Sequence, residues 1–151
     1  MTASIVALQP DYWSSLGRGV SAIVLYAIVG LVLMMVGFQA IDLATPGPLR
    51  KMVAAGKPNA IIVAAAGMVS MALIVVVAIY SSYGKLAEGL IATAVYGLVG
   101  IAAQVGMMRI AALVIGVGMD ALFESDQYRN EVLTVAAAQF ALGMVVGVAI
   151  L

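Results

Sequence analysis

The chain of 151 residues has no cysteine. That excludes a disulfide, a thiolate metal site, an iron–sulfur cluster and a cysteine nucleophile. It has no histidine either, which removes the usual haem ligand, most zinc sites and any Ser-His-Asp triad. Charge is scarce. Seven basic and seven acidic side chains cancel and make up only 9% of the residues. No basic excess points to nucleic acid, and no motif asks for a cofactor or a metal. What remains is apolar: 65% of the residues are hydrophobic, against about 45–50% in a soluble domain. A soluble fold of this size cannot hide so much apolar surface. Lipid can take it, so the chain reads as an all-α integral membrane protein.

Four apolar runs are long enough to cross a bilayer as helices, which takes about 20 residues. They are Gly19–Ile41, Ala60–Ser81, Gly89 to about Arg109, and Val132–Leu151. Arg109 is the only charged residue between Gly89 and Met119. Ile110 to Phe123 therefore either bends along the interface or continues the third helix. The first run is too long for a signal core of about 7–15 residues, so it is read as a span that is kept.

Five cations (Arg50, Lys51, Lys57, Arg109 and Arg129) fall in the two long loops. Two, Arg18 and Lys85, fall on the other side. The positive-inside rule then places both long loops in the cytoplasm and both termini outside. Tyr12, Trp13, Tyr80 and Tyr83 would stand at the outer interface, although four acids in the second loop (Asp120, Glu124, Asp126, Glu131) weaken the charge bias.

The two halves resemble each other. Gly19, Ala22, Tyr26, Val29 and Gly30 match Gly89, Ala92, Tyr96, Val99 and Gly100 at a spacing of 70. Asn59 matches Asn130, and several Ala, Val and Ile residues match likewise, at a spacing of 71. The organisation is a tail over 1–18, a first transmembrane hairpin over 19–81 and a second over 82–151. Each hairpin crosses twice, so the repeat is parallel, with a pseudo-two-fold expected along the membrane normal. Gly19, Ala22, Tyr26, Gly30 and Gly37 share one helical face. Gly89, Ala92, Tyr96, Gly100 and Ala103 form the matching face, and these two faces are expected to pack. The last helix adds Gly143 and Gly147 as a Gly-x-x-x-Gly pair.

Asp42-Leu-Ala-Thr-Pro46-Gly47, Leu49-Arg-Lys-Met-Val and Gly56-Lys-Pro-Asn59-Ala60 give the first loop its character. With the doubled hairpin, they resemble the bacterial transmembrane family catalogued as domain of unknown function 350 (uncharacterised protein family 0719). The resemblance covers about residues 19–151, and the second loop lacks the Asp-x-x-x-Pro-Gly pattern. It implies a multi-pass protein of the bacterial inner membrane and carries no catalytic residue over.

Several polar residues remain, and Asp42, Tyr26, Tyr96, Gln104 and Arg109 are the functional candidates among them. Asp42, at the loop end of the first span, is either a cation or proton site or an acid that shapes the turn. Thr45 and Pro46 read as an N-cap and first helical residue, with a short helix over Pro48–Ala55 ended by Gly56. That helix would present Arg50, Lys51 and Lys57 on the membrane surface, as anionic-lipid or partner contacts or as topology signals. Tyr26 and Tyr96 either line a polar path or bond across a helix interface, and Gln39, Gln104 and Gln139 face the same choice. Arg109 either pairs with Asp120 or Glu124 or snorkels to the headgroups. No carboxylate or lysine lies in the middle third of any span, which speaks against proton-coupled transport. The expectation is a structural or accessory subunit, in a homo-oligomer or with other membrane proteins, and no enzyme. The alternative is a passive channel or facilitator for a small solute.

Overall fold

A computed structural model describes residues 11–45, 47–81, 85–115 and 118–151. Among them there is no strand. Six helices follow in order: α1 (Tyr12–Ala44), α2 (Leu49–Ala54), α3 (Pro58–Tyr80), α4 (Leu86–Ile115), α5 (Met119–Glu124) and α6 (Glu131–Ile150). Four of them, α1, α3, α4 and α6, are long and apolar enough to cross a membrane. Their backbone groups are satisfied within each helix, as hydrocarbon demands.

The bundle has a loop end, which carries α2 and α5, and a terminal end. α1 begins at Tyr12, so part of the expected tail is helix, and its 33 residues reach about 50 Å. α4 continues past Arg109 to Ile115, and α5 is a separate short helix. This resolves the ambiguous third run in favour of a longer helix.

Local chemistry sets the first loop. Thr45 is not an N-cap. It ends α1 in extended conformation, and its hydroxyl donates to the Ile41 carbonyl at 2.8 Å. Pro46 lies outside the described residues. α2 ends in two reversed bonds, Gly56 N–H to the Val53 carbonyl and Lys57 N–H to the Met52 carbonyl, both 3.0 Å. This Schellman closure needs a left-handed residue, which Gly56 supplies with φ of +76°. Pro58 then opens α3 at a position where no backbone donor is needed.

α3 is the hub, and every other helix packs on it. In its apolar window 44% of residues are buried, against 11% in that of α1. α1 also packs on α4, and α4 on α6. A two-fold exchanging the hairpins would match the α3–α4 contact with an equal one between α1 and α6. Among the described residues α3 and α4 pack closely, while α1 and α6 stand apart at opposite corners.

Two apolar clusters form the interior. One lies at the loop end and includes Leu49, Met52, Val63, Leu122, Phe123 and Val132. The other lies deeper and consists of Leu33, Met71, Ile74, Val75 and Ile101.

Candidate functional site

Between those two clusters sits a polar knot. Ser70 is the only polar residue of α3 between Asn59 and Tyr80, and it stands at mid-helix. Its hydroxyl donates to the backbone carbonyl of Gln139 on α6 at 2.8 Å and accepts from the Gln104 side-chain amide on α4. The Gln139 amide donates to the Met108 sulfur at 2.9 Å. Ser70, Gln104 and Gln139 are all fully buried. Three helices are thus tied together by polar bonds at mid-membrane depth. The Oε1 atoms of Gln104 and Gln139 are buried with no hydrogen-bond partner among the described residues. Thr93, about three turns from Gln104 along the same face of α4, is buried with its hydroxyl likewise unpartnered among the described residues.

Glycines make this closeness possible. A Cβ on Gly143 would fall on the Ser70 hydroxyl and lie 3.0 Å from the Ser70 Cα, so the α3 and α6 backbones nearly touch there. A Cβ on Gly67 would meet side chains, Ile41 at 3.0 Å and the Gln139 Oε1 at 3.3 Å, and Gly147 meets Val77 at ordinary contact distance. Gly37 lies against Met71 and Ile101, Gly30 against Val75, and Gly100 against Ile74.

The interface face of α4 differs from the expected one. Its buried residues are Gly89, Thr93, Gly97, Gly100, Ile101, Gln104, Met108 and Ala111. Ala92 and Ala103 are only half-buried, and Tyr96 is 38% exposed. The face is rotated by one residue because Gly97, not Tyr96, admits the α1 residue Leu33. Tyr26 is half-buried and borders a groove between α1 and α3. The two tyrosines therefore occupy unlike surroundings. Gln39 is exposed, unlike Gln104 and Gln139.

At the loop end, Asn59 is fully buried at the start of α3. Its amide donates to the carbonyls of Leu122 (2.8 Å) and Gln127 (3.0 Å), and its Oδ1 accepts from the Arg129 N–H (3.0 Å). One side chain thus satisfies three backbone groups of the second loop. Lys57 adds an ion pair to Asp126 at 2.6 Å.

Asp42 is half-buried, and its Oδ1 accepts the Arg50 backbone N–H at 2.7 Å. This remote cap satisfies an orphan donor in the first turn of α2. Arg109 is exposed and has no ion-pair partner among the described side chains. Glu124 is exposed, while the Asp120 side chain and Tyr83 lie outside the described part. Tyr12 and Trp13 stack edge to face at the terminal end with centroids 5.5 Å apart. Among the described residues no group of acidic side chains is arranged to hold a metal.

The sequence pattern alone does not single out Ser70, Gly67 and Gly97, and it offers Asn59 as a repeat marker and as part of the first-loop motif, not as a clamp. The usable signal was isolation: Ser70 is a lone hydroxyl in an apolar helix. Such a group needs a partner, and the partners stand on α4 and α6.

Four apolar helices around a small polar centre define a multi-pass membrane protein. Its sequence places it further. The profile of the family described as Domain of Unknown Function (DUF350) matches residues 15–151, and the chain belongs to that family. It is 44% identical over 85 residues to a UPF0719 transmembrane protein of Mycolicibacterium paratuberculosis, a match covering 56% of each chain. It is 46% identical over 81 residues, 53% of each chain, to UPF0719 transmembrane proteins of Mycobacterium bovis and Mycobacterium tuberculosis. The match thus spans about half the length of these curated relatives. No solved structure matches the chain.

Proposed function

We propose that the chain is a structural or accessory subunit of a membrane assembly, embedded in the bacterial inner membrane with both termini outside. The observation that carries this reading is the polar knot. Ser70, Gln104 and Gln139 spend their donors on one another and on Met108, which is how polar groups glue membrane helices. The long α1 adds support. Between Tyr12 and Val29 no residue is fully buried, and Val20, Ile23, Val24 and Ile28 are more than half exposed, so this outward face is open to a second copy or another membrane protein. The reading assigns the chain no enzymatic activity.

A passive facilitator is the second reading, favoured by the unpartnered oxygens of Gln104 and Gln139. Purified protein in liposomes, screened for small cations and polyamines, separates the two. The subunit reading expects no flux with or without a pH gradient, and discrete partners or copies on purification from native membranes. Leak abolished by Gln104→Leu would replace it with the facilitator. Uptake that follows the proton gradient and stops on Asp42→Asn would sink both. A reporter active only in the cytoplasm, fused to Leu151, should be silent, and strong activity would invert the assigned orientation.

A further inference from the structure

An open cleft of about 690 Å³ runs between α1, α2 and α3 at the loop end. Its walls are apolar and adaptable: Leu31, Met34, Phe38 and Met68 line the deep part. Its polar groups gather at one end, where Asp42 and Arg50 line the mouth. Gln39 lies one turn deeper than Leu43 on the same wall, with its amide exposed.

The dimensions are those of one leaflet. From Leu31 to Asp42 the cleft follows α1 for about 16 Å at about 1.5 Å per residue. On α3, Met68 lies ten residues beyond Pro58, about 15 Å from the start of the helix. Half of a hydrocarbon core is about 15 Å. Two helices therefore independently give the cleft the depth of a single acyl layer. Methionine-rich walls suit a chain of variable conformation.

The charges select the headgroup. Leu49 and Met52 bury one side of α2, which leaves Arg50 exposed beside the cleft. A guanidinium there is matched to a phosphate. Asp42 spends Oδ1 on the Arg50 backbone N–H, and no bond to its other oxygen is among those of the described residues. A purely anionic headgroup would leave that carboxylate facing like charge. A headgroup bearing a phosphate and a primary ammonium satisfies both ends, while a quaternary ammonium has no N–H to donate.

We propose that this cleft binds one aminophospholipid of the loop-side leaflet, with its phosphate on Arg50, its ammonium on Asp42 and an acyl chain along Met34, Phe38 and Met68. The site requires only that the chain lies in a membrane and is independent of the subunit reading.

Native mass spectrometry of the full chain, with phosphatidylethanolamine, phosphatidylcholine and phosphatidylglycerol supplied equally, tests it. One phosphatidylethanolamine should be retained several-fold more than either competitor. Asp42→Asn should erase the preference over phosphatidylcholine, and Arg50→Gln should lower retention of all three. Both variants keep the cap on α2, because Asn still accepts and the donor is backbone, so their lipid-free melting should match the parent. Met68→Trp should reduce retention by filling the deep end, and Lys51→Gln, which does not line the cleft, should change nothing. Equal retention of the three lipids would mean annular lipid only and would overturn the site. So would a preference for phosphatidylglycerol, or an Asp42→Asn variant that discriminates like the parent.

Discussion

Asn59 and Asn130 occupy matching places in the two halves, each at the start of the returning helix of its hairpin. Asn59 is fully buried and holds three backbone groups of the second loop. Asn130 is exposed, and its side chain makes no capping bond to α6. The difference follows from position. α3 is the hub, so a polar residue at its mouth is covered by whatever crosses the loop end, here α5 and the strand of chain that follows it. At the start of α6 no described segment covers Asn130, which is left exposed. A repeated sequence thus gives two spans of the same kind without giving them the same work. The first hairpin receives the second loop, and the favour is not returned.

The sharpest way to break this asymmetry is to remove the amide on each side. Asn59→Leu should cost about 3 kcal/mol, because it strands the buried Leu122 carbonyl and the part-buried Arg129 N–H, while the Gln127 carbonyl keeps the Ser125 hydroxyl. For a chain of this size that is roughly 6–12 °C in melting temperature. Asn130→Leu should stay within about 0.5 kcal/mol. Thermal melts in detergent decide it, and equal losses would mean that the clamp is not what holds the loop end.

Matched glycines extend the contrast with a smaller effect. A Cβ on Gly100 would lie 2.8 and 3.0 Å from two Ile74 carbons, whereas one on Gly30 would meet Val75 at an ordinary 3.4 Å. Gly100→Leu should therefore destabilise by about 1–3 kcal/mol through overpacking. Gly30→Leu should cost less, and the exposed Ala27→Leu least. Three similar melting shifts would show that the closeness at Gly100 relaxes freely.

What could be read from sequence divides along the same physical line. The four spans were legible because each apolar run answers to bilayer thickness alone. The turn at Gly56 was legible because glycine after a short basic helix has few other uses. The interface face of α4 was not, and the small-residue stripe was placed one residue away, on Tyr96 instead of Gly97. In lipid the outward face is as apolar as the inward one, so hydrophobic periodicity no longer marks the inside. Thr45 misled for a related reason: a hydroxyl beside proline fits either helix end, and only its bond to Ile41 decides. For the polar centre, Gln104 and Gln139 stood out by their chemistry. Their link through Ser70 needed the α3–α6 approach at Gly143: the Gly-x-x-x-Gly pair marks a close approach there but does not say that α3 is the partner.

That centre gives the next smaller effect. Ser70→Ala removes a bond on each side of the hydroxyl and should cost about 0.6–1.7 kcal/mol, from the average to the maximum found for polar contacts between membrane helices. Ser70→Ala combined with Gln104→Leu should cost less than the sum of the single changes, because the stranded amide is removed as well. Strict additivity in a double-mutant cycle would mean that the two side chains do not act as a pair.

The smallest effect belongs to the second tie at the loop end. Lys57 reaches Asp126 across the same gap that Asn59 spans, at 2.6 Å. The geometry is closer than that of the Asn59 bonds, yet the surroundings are opposite: the Asp126 side chain is 88% exposed. Water and ions screen such a pair, and holding two flexible side chains costs entropy, so Lys57→Ala should lose only roughly a few tenths of a kcal/mol. The discriminating measurement is salt. Between low ionic strength and 1 M, where the screening length falls to about 3 Å, the Lys57→Ala deficit should vanish while the Asn59→Leu deficit stays. If salt leaves the Lys57 deficit intact, the ammonium is held in a drier setting than its exposure indicates, and the loop end rests on two buried ties instead of one.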